Sequence, residues 1–230
     1  MADAACLMEN VAFNYRDGGD VFRLDQLRVE PGETVLLTGE SGAGKSTLLG
    51  LLCGVLAATT GDILVAGEAM SGRSGAVRDR LRADHIGYVF QSSNLIPYLS
   101  PVENVMLSGG FSKKRATAAG ASSADQKKHA AELLEQLGVA DLDRAASTLS
   151  VGQQQRVAAA RALFGAPPLL VADEPSAALD HQNRDRFFEA VLSQTEKQKS
   201  GLLVVSHDLG VAKHFDRHLE LASIARWEAA

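Results

Sequence analysis

A chain of 230 residues, 46% of them hydrophobic, is long enough to bury a substantial core as one large domain or two small ones. The net charge of −5, the scattered basic residues and an aromatic content of only 5% argue against a duplex-binding groove or a stacking platform for single strands, so we expect no nucleic-acid partner. The longest apolar stretch, Leu48–Ala58, is too short and too interrupted by glycine to cross a bilayer, and the N-terminus lacks the pattern of a signal peptide, so we expect a cytoplasmic protein.

The first part of the chain predicts short strands around turns, followed by one helix. RLDQLRVEPGETVLLTG gives an alternating strand, a Pro-Gly turn and a continuous apolar strand at Thr34–Thr38. A helix in KSTLLGLLCGVL follows, and TTGDILVAGEAM predicts a turn and another strand. The two cysteines, Cys6 and Cys53, lie far apart and outside any metal-binding pattern, which predicts reduced, structural thiols.

Helical patterns dominate from about Ser92 to Phe164. In DQKKHAAELLEQLG, four apolar residues share one helical face and a glycine ends the helix; these are Ala130, Leu133, Leu134, Leu137 and Gly138. Inside this region, GGFSKKRATAAGASSA at 109–124 predicts a small, polar, mobile segment. Lys113, Lys114 and Arg115 within it predict a solvated loop, with contact to acidic lipid headgroups as the alternative.

Strand patterns return after Pro167 and Pro168. LLVAD predicts a strand, a helix follows around Phe187–Leu192, and LLVVSHD predicts a second buried strand. This order is typical of a parallel α/β core interrupted by a mostly helical insertion. We therefore predict a single domain over 1–230, with a core lobe at about 1–91 and 165–230 and a helical subdomain at about 92–164.

GESGAGKST matches the phosphate-binding pattern G-x-x-x-x-G-K-[ST] between a predicted strand and a predicted helix. The candidate nucleotide-binding residues are Gly39, Glu40, Ser41, Gly42, Ala43, Gly44, Lys45, Ser46 and Thr47. Glycines allow the tight turn that presents backbone N–H groups to phosphates, and the helix N-terminus adds a positive dipole. Lys45 would supply a cation near the β and γ phosphates, and the Ser46 hydroxyl would contact Mg²⁺.

Two acids, Asp173 and Glu174, end the apolar strand LLVADEP. At the carboxyl end of a parallel strand Asp173 would reach the Mg²⁺ shell and Glu174 could orient the attacking water. The alternative, a pair of solvated turn acids before a proline, is disfavoured by the phosphate loop upstream. His207 ends the strand LLVVSHD with the same exit geometry and could contact the γ-phosphate. The other histidines are expected to be structural or solvated: His85, His129, His181, His214 and His218.

A second anion-binding helix start lies in LSVGQQQRVAAARAL, where Ser150, Gly152 and Gln153 open a helix. The order GESGAGKST, VFQSSN, LSVGQQQR, LLVADEPSAALD and VVSHD resembles the nucleotide-binding subunit of ATP-binding-cassette (ABC) transporters, from about Met8 to about Leu221. The resemblance implies the ABC ATPase fold of the phosphate-loop NTPases, with a mixed or parallel sheet core, an antiparallel β lobe and a helical insertion. It implies ATP and Mg²⁺ as ligands.

The resemblance also assigns roles to individual residues. Ser150, Gly152 and Gln153 would bind ATP held by a second copy of the chain, stacked head to tail, and Asp180 would contact that copy's phosphate loop. Gln91 matches the Q-loop glutamine, a contact of Mg²⁺ and of the catalytic water. Tyr15 in FNYRDG is similar to the aromatic residue that stacks on adenine; a plain strand aromatic is the alternative.

Two places depart from the family pattern. Val151 stands where a glycine usually lies, and a β-branched residue forbids a glycine-only conformation there, so we expect altered loop flexibility with the site kept; a site that no longer hydrolyses ATP is the alternative. RHLELASIARWEAA lacks the usual glycine turn and final strand, and we expect no regulatory domain after it.

Within the family, IGYVFQSSNLIPYLSPVENV and ADEPSAALD resemble the ATPases of lipoprotein-release, macrolide-export and glycolipid-export systems. This implies an ATPase on the inner face of the membrane that drives integral-membrane permease subunits. The first alternative is an ATPase that energises a cell-division or envelope complex without transport. A DNA-repair or chromosome-organising ATPase would need long heptad insertions, and a translation factor would need two cassettes; the sequence has neither.

Overall fold

The computed structural model describes residues 3–15 and 19–229 and contains two five-stranded sheets. The strands are β1 (Cys6–Phe13), β2 (Val21–Val29), β3 (Thr34–Thr38), β4 (Thr60–Val65), β5 (Glu68–Ala69), β6 (Ile86–Val89), β7 (Leu169–Asp173), β8 (Gly201–Val205), β9 (Arg217–Glu220) and β10 (Ala225–Glu228). The helices are α1 (Lys45–Leu52), α2 (Gly75–His85), α3 (Pro101–Phe111), α4 (Lys113–Ala119), α5 (Ser123–Gln136), α6 (Val151–Leu163), α7 (His181–Gln198) and α8 (Leu221–Ile224). Short 3-10 helices lie at Ala146–Thr148 and Leu209–His214.

The parallel sheet has the order β6-β7-β8-β3-β9 and is buried on both faces. Strands β3, β7 and β8 are continuous apolar runs because alternate residues enter two different cores. In β3, Leu37 packs towards α1 and the antiparallel sheet, whereas Leu36 packs towards the helices. The carboxyl ends of β3, β7 and β8 therefore meet along one edge, where the phosphate loop, the acidic pair and His207 all follow.

The antiparallel sheet has the order β10-β2-β1-β4-β5 and covers α1. Its β2 strand alternates between buried residues such as Phe22 and Leu24 and exposed residues such as Arg23, as expected for a sheet with one solvated face. This sheet places the end of β1, and with it Tyr15, next to the phosphate loop.

Helices α3 to α6 lie between β6 and β7 in the chain and share a second core with one face of the parallel sheet. The predicted apolar face of α5 is confirmed: Ala130, Leu133, Leu134 and Leu137 are all buried. Gly138 follows with φ +76°, the left-handed conformation that ends a helix, also as predicted. The predicted reduced thiols are likewise buried and unpaired, and burial raises the pKa of both Cys6 and Cys53 to about 12.

The prediction of a small, polar, mobile segment at 109–124 missed the helices that occupy it. Helix α3 continues to Phe111, Ser112 caps α4 by accepting from the Arg115 backbone N–H at 3.1 Å, and α5 begins at Ser123. The composition of this segment does not predict these helices, because it is rich in small residues such as Ala and Ser and forms no wide apolar face. The helices depend instead on their caps and on packing against the rest of the fold.

The solvated-loop prediction was also wrong for Arg115. Lys113 and Lys114 are exposed on α4, but Arg115 is only 5% exposed. Its guanidinium donates to the carbonyls of Phe164 at 2.8 Å and Ala162 at 2.6 Å, among others near the carboxyl end of α6. A cation there satisfies carbonyls that the helix itself leaves without partners and complements the helix dipole. Burial lowers the pKa of Arg115 to about 10, so the side chain stays charged at neutral pH.

The C-terminal prediction was wrong as well, because a final strand exists. The short helix α8 replaces a glycine turn, and β10 then pairs antiparallel with β2, with Trp227 opposite Phe22.

Across the part of the chain that the structure describes, no helix combines the length and apolar character that a membrane span requires.

Candidate ATP-binding and hydrolysis site

The phosphate loop joins β3 to α1, as its sequence context predicts. Gly44 precedes the first helical residue with φ +105°, and a Cβ there would lie 2.6 Å from the Phe22 ring. Gly42 also has a positive φ, and the Ala43 N–H closes the turn on the Glu40 carbonyl at 3.2 Å. Only glycine fits position 44 without strain. The backbone N–H groups of the loop lie close to the start of α1, where the helix dipole favours an anion.

Lys45 folds back over its own loop. Its ammonium donates to the carbonyls of Gly39 at 2.5 Å and Glu40 at 3.0 Å. The Ser46 hydroxyl is exposed beside it, while Thr47 is buried. The Lys45 ammonium can exchange these neutral carbonyl acceptors for phosphate oxygens, because hydrogen bonds to charged acceptors are stronger.

Tyr15 lies at the edge of this loop and is half exposed. Its hydroxyl is 3.0 Å from the Thr47 hydroxyl, and its ring packs edge-on against Phe13 with centroids 4.7 Å apart. Trp227 of β10 lies on the same side, nearly parallel to Tyr15 at 6.4 Å. The loop is thus flanked by an aromatic surface that sequence reasoning found only in part.

Asp173 ends β7 and is half-buried. Burial, and then the charge of Glu174, raise the pKa of the Asp173 carboxyl, while Lys45 lowers it. Asp173 and Ser46 line the same cleft, and Asp173 also lines a second cleft together with Gln91. A carboxylate in this setting gains from a nearby cation, which would offset both burial and repulsion.

Glu174 has a strained backbone. Its φ of +45° is in the left-handed region that residues other than glycine, asparagine and aspartate rarely adopt, and its N–H is held by the Val205 carbonyl at 2.8 Å. Its Oε1 accepts from the His207 backbone N–H at 3.0 Å and lies 2.8 Å from His207 Nδ1. Its Oε2 accepts from the Ser206 hydroxyl at 3.2 Å. The structure therefore brings Glu174 and His207 together, as their positions at neighbouring strand ends predict.

His181, the first residue of α7, is exposed and lines the same cleft as Glu174 and His207. The other four histidines have different neighbours. His85 is buried with Nε2 2.9 Å from Glu68, His214 is 3.3 Å from Asp185, and His218 is 2.8 Å from the Thr38 hydroxyl. His129 packs against Phe164.

Ser150 caps α6 with a reciprocal pair of bonds. Its hydroxyl accepts from the Gln153 N–H at 3.3 Å, and the Gln153 side chain accepts from the Ser150 N–H at 3.0 Å. Val151 is the first residue of α6 and is exposed, so no glycine-only conformation is needed there. Asp180 similarly caps α7 by accepting from the Asn183 N–H at 2.9 Å.

These two caps share a cleft of their own. Ser150, Gly152, Gln153 and Asp180 line it together. Within the described ranges 3–15 and 19–229, the lining of this cleft includes no residue of the phosphate loop. The two helix starts that the sequence predicts to bind anions, at Lys45 and at Ser150, therefore line different clefts in the described part of the chain.

Comparison with known proteins decides the family. Residues 23–177 match the ABC transporter family. The chain belongs to the ABC transporter family. It is 43% identical over 199 residues to the uncharacterized ABC transporter ATP-binding protein YbbA of Escherichia coli K12, a match covering 86% of this chain and 84% of the relative. It is 41% identical over 224 residues to the lipoprotein-releasing system ATP-binding protein LolD of Xanthomonas oryzae, covering 96% and 89%.

Solved ABC cassettes share the fold. The dimeric structure of MJ0796, a bacterial ABC transporter cassette, has a TM-score of 0.80 at 32% identity and covers 97% of this chain and 98% of that one. Its dimeric post-hydrolysis state with ADP and Pi also gives 0.80 at 32%, covering 94% and 93%. The chain is an ABC ATPase subunit that uses ATP and Mg²⁺, and both of these solved relatives are dimeric structures.

The residues of this ABC cassette fit a magnesium ion held partly by phosphate. Ser46, Gln91 and Asp173 offer a hydroxyl, an amide and one carboxylate at the two clefts that meet at Asp173. Among the described residues no group of three or more His, Cys, Asp or Glu side chains could hold a metal ion by itself. Magnesium commonly takes one or two carboxylates and completes its shell with phosphates and water, which suits this donor set.

Sequence reasoning missed how α6 of this ABC cassette holds the Q-loop, the loop that carries Gln91. The buried Gln155 side chain donates to the Phe90 carbonyl at 3.0 Å, next to Gln91. The Arg161 guanidinium donates to the carbonyls of Ser93 at 2.9 Å and Asn94 at 2.7 Å. These three bonds tie α6, which Ser150 caps, to the loop that carries Gln91. The QQQR and RAL letters show polar residues on α6 but not their partners, about seventy positions earlier.

Proposed function

We propose that this chain is the ATP-hydrolysing subunit of an export or mechanotransmission type ABC system, in which two copies close head to tail around two ATP molecules and drive a membrane permease. The likeness to LolD of Xanthomonas oryzae, over 96% of this chain, carries the proposal. An ATPase that works on a permease acts from the inner face of the membrane, so we propose a cytoplasmic, peripheral location. The cargo belongs to the membrane subunits and not to this chain.

The proposed roles follow the geometry. Lys45 and the loop around it, Gly39–Thr47, bind the phosphates, and Tyr15 stacks on the adenine. Ser46, Gln91 and Asp173 hold Mg²⁺, which supplies charge neutralisation on the phosphates when bound. Ser150, Gly152, Gln153 and Asp180 contact the nucleotide site of the partner copy.

Hydrolysis is an in-line attack of water on the γ-phosphorus, and three side chains of this chain act on the reacting atoms. Glu174 accepts the hydrogen bond of the attacking water and orients it. His207 keeps Nδ1 towards Glu174, which leaves Nε2 to meet the γ-phosphate. Lys45 offsets the charge that develops on the phosphate oxygens. Because Glu174 is held by Ser206 and His207, its carboxylate is preorganised before the nucleotide arrives.

The lobe division stays a prediction, with the core lobe at about 1–91 and 165–230 and the helical subdomain at about 92–164. The cleft between α1, β6 and α3 supports it, since both proposed lobes line this space of about 750 Å³. Exposed apolar side chains surround the cleft: Phe111 is 80% exposed and Phe90, next to Gln91, is 42% exposed. We propose that a cytoplasmic segment of the permease contacts this surface, because apolar side chains beside the Q-loop would transmit its position directly to Gln91.

A pull-down from detergent-solubilised host membranes tests the proposal. We expect to recover a four-helix permease with a large extracytoplasmic domain. Phe111→Asp, on the cleft, should weaken this recovery, whereas Val77→Asp, exposed on α2 outside the cleft, should not. A permease with many helices would instead support an ordinary importer or exporter. A division or envelope complex would favour the non-transporting alternative, and recovery of no membrane protein would contradict the proposal.

A further inference from the structure

A short chain of hydrogen bonds leads away from the Glu174 carboxylate along the loop that carries His207. The Ser206 hydroxyl donates to Glu174 Oε2 at 3.2 Å and itself accepts from the Asp208 N–H at 3.1 Å. The His207 N–H donates to the other carboxylate oxygen at 3.0 Å. The direction of the Glu174 carboxylate therefore depends on the position of three consecutive residues, 206 to 208.

Asp208 is the residue that fixes this loop to the rest of the fold. Its Oδ1 accepts from the Gly210 N–H at 2.8 Å, and its Oδ2 forms an ion pair with the Arg184 guanidinium. The Arg184 side chain is 11% exposed and the Asp208 side chain 35% exposed, so this pair is partly shielded from water. Arg184 also lies 3.7 Å from Asp185.

Arg184 belongs to α7, one helical turn after Asp180. Its backbone N–H donates to the Asp180 carbonyl at 2.9 Å, and Asp180 caps the helix. Arg184, Glu174, His207 and Asp208 line one cleft of about 550 Å³. A single side chain thus connects the helix start proposed to contact the partner copy with the loop proposed to act on the γ-phosphate of this copy.

We propose that Arg184 is a positioning residue for ATP hydrolysis, which holds Asp208 and thereby sets the direction of His207 and Glu174. The inference rests on the proposed roles of Glu174 and His207. It makes Arg184 a coupling element as well, because displacement of the Asp180 cap by the partner copy moves α7 and, through the ion pair, the catalytic loop.

A purely structural role, joining α7 to the following 3-10 helix, is already filled by other contacts. Lys213 pairs with Asp185 at 3.0 Å and His214 lies 3.3 Å from the same carboxylate. These contacts join the same two elements without touching Asp208 or Glu174. Lys213→Ala is therefore a matched control that weakens the junction and leaves the Arg184–Asp208 pair in place.

The test compares Arg184→Gln, Asp208→Asn and their double variant with Lys213→Ala in the full chain. Steady-state turnover, ATP affinity from a fluorescent analogue and thermal midpoint are measured for each. We expect both single variants to lower kcat by about 10-fold to 100-fold with ATP affinity kept, since small misplacements of a catalytic group cost rates of this order. The double variant should be no worse than either single one, because both break the same pair. Arg184→Lys should restore part of the rate.

Glu174→Gln, measured alongside, distinguishes a failure of the proposed role of Glu174 from a failure of the proposed role of Arg184. Normal turnover in Glu174→Gln would overturn the assignment of Glu174 and the inference with it. Normal turnover in Arg184→Gln and Asp208→Asn, with Glu174→Gln inactive, would overturn the inference and leave the assignment standing. A loss in Arg184→Gln that tracks the thermal midpoint, and that Lys213→Ala reproduces, would also overturn it, because the effect would then be structural.

Discussion

His207 Nδ1 lies 2.8 Å from Oε1 of Glu174, and the His207 backbone N–H donates to the same oxygen at 3.0 Å. Both contacts join the residues that follow β7 and β8, two neighbouring parallel strands. The pairing holds the carboxylate on a residue whose own backbone is strained at φ +45°. Strain of this kind persists only where surrounding contacts determine it, and it is common at sites that need a preorganised side chain.

Glu174→Gln should separate nucleotide binding from hydrolysis. The amide keeps the size of the side chain but is a poor base and a poor orienting acceptor for water, so turnover should fall by on the order of 10²–10⁴. ATP should still bind, and the closed dimer should accumulate because the step that opens it is slow. Turnover by phosphate release and dimer population by light scattering check both outcomes. Glu189→Gln, exposed on α7, is the control, and unchanged turnover in Glu174→Gln would refute the assigned role.

Val151→Gly should leave turnover unchanged. Val151 occupies the first helical position of α6 with its side chain in solvent, so the glycine usual in the family has no conformation to restore. The variant should lose about 0.5 kcal/mol of unfolding free energy from weaker helix propensity. Ser150→Ala should lose about 1 kcal/mol with the cap and also lower turnover. Urea unfolding and ATPase assays measure both; faster hydrolysis in Val151→Gly would show that valine restrains the loop.

The phosphate loop, the acidic pair and His207 could be predicted from sequence because each follows a buried strand within a few residues. Their chemistry is local, and parallel strands bring their carboxyl ends together whatever the loops between them do. Arg115 could not be predicted in this way. In the letters KKR it is equivalent to its two exposed neighbours, and only the free carbonyls at the end of α6, almost fifty positions later, select it for burial. The strand β10 could not be predicted for the same reason, since it forms by pairing with β2, which lies about two hundred positions earlier.

Arg115→Ala should destabilise the whole chain. The variant leaves several buried carbonyls without donors and opens space between α4 and α6, so we expect a loss of about 3 kcal/mol. For a chain of this size that corresponds to a fall of about 6–12 °C in thermal midpoint. Lys114→Ala, exposed one position earlier, should change the unfolding free energy by less than about 0.5 kcal/mol. Equal effects of the two substitutions would contradict the importance of the buried contacts.

Stability should decline in mild acid partly through His85. Burial, and then Lys114, lower the pKa of His85, while Glu68 and Asp84 oppose the shift. Below the unfolded imidazole pKa of about 6.5 the unfolded chain binds more protons than the folded one, so the free energy of unfolding falls as the pH falls. Glu68→Gln removes an opposing carboxylate and should make the decline steeper. Urea unfolding at about pH 7.5 and about pH 5.5 gives the loss of unfolding free energy between the two pH values for the native chain and for Glu68→Gln. An identical loss in the two proteins would exclude His85 as the cause.

Tyr15 should govern nucleotide affinity, and Trp227 should report it. Tyr15→Ala removes the ring next to the phosphate loop and should weaken ATP binding by about 5-fold to 150-fold, the range that one base–aromatic stack contributes. Tyr15→Phe keeps the ring and loses only the contact with the Thr47 hydroxyl, so its effect should be smaller. Trp227 is the only tryptophan in the sequence and lies 6.4 Å from Tyr15 between ring centroids. ATP titration should therefore change its fluorescence in the native chain, and Tyr98→Ala, exposed elsewhere, should leave the titration unaltered. Equal losses in Tyr15→Phe and Tyr15→Ala would assign the affinity to the hydroxyl contact instead of the ring.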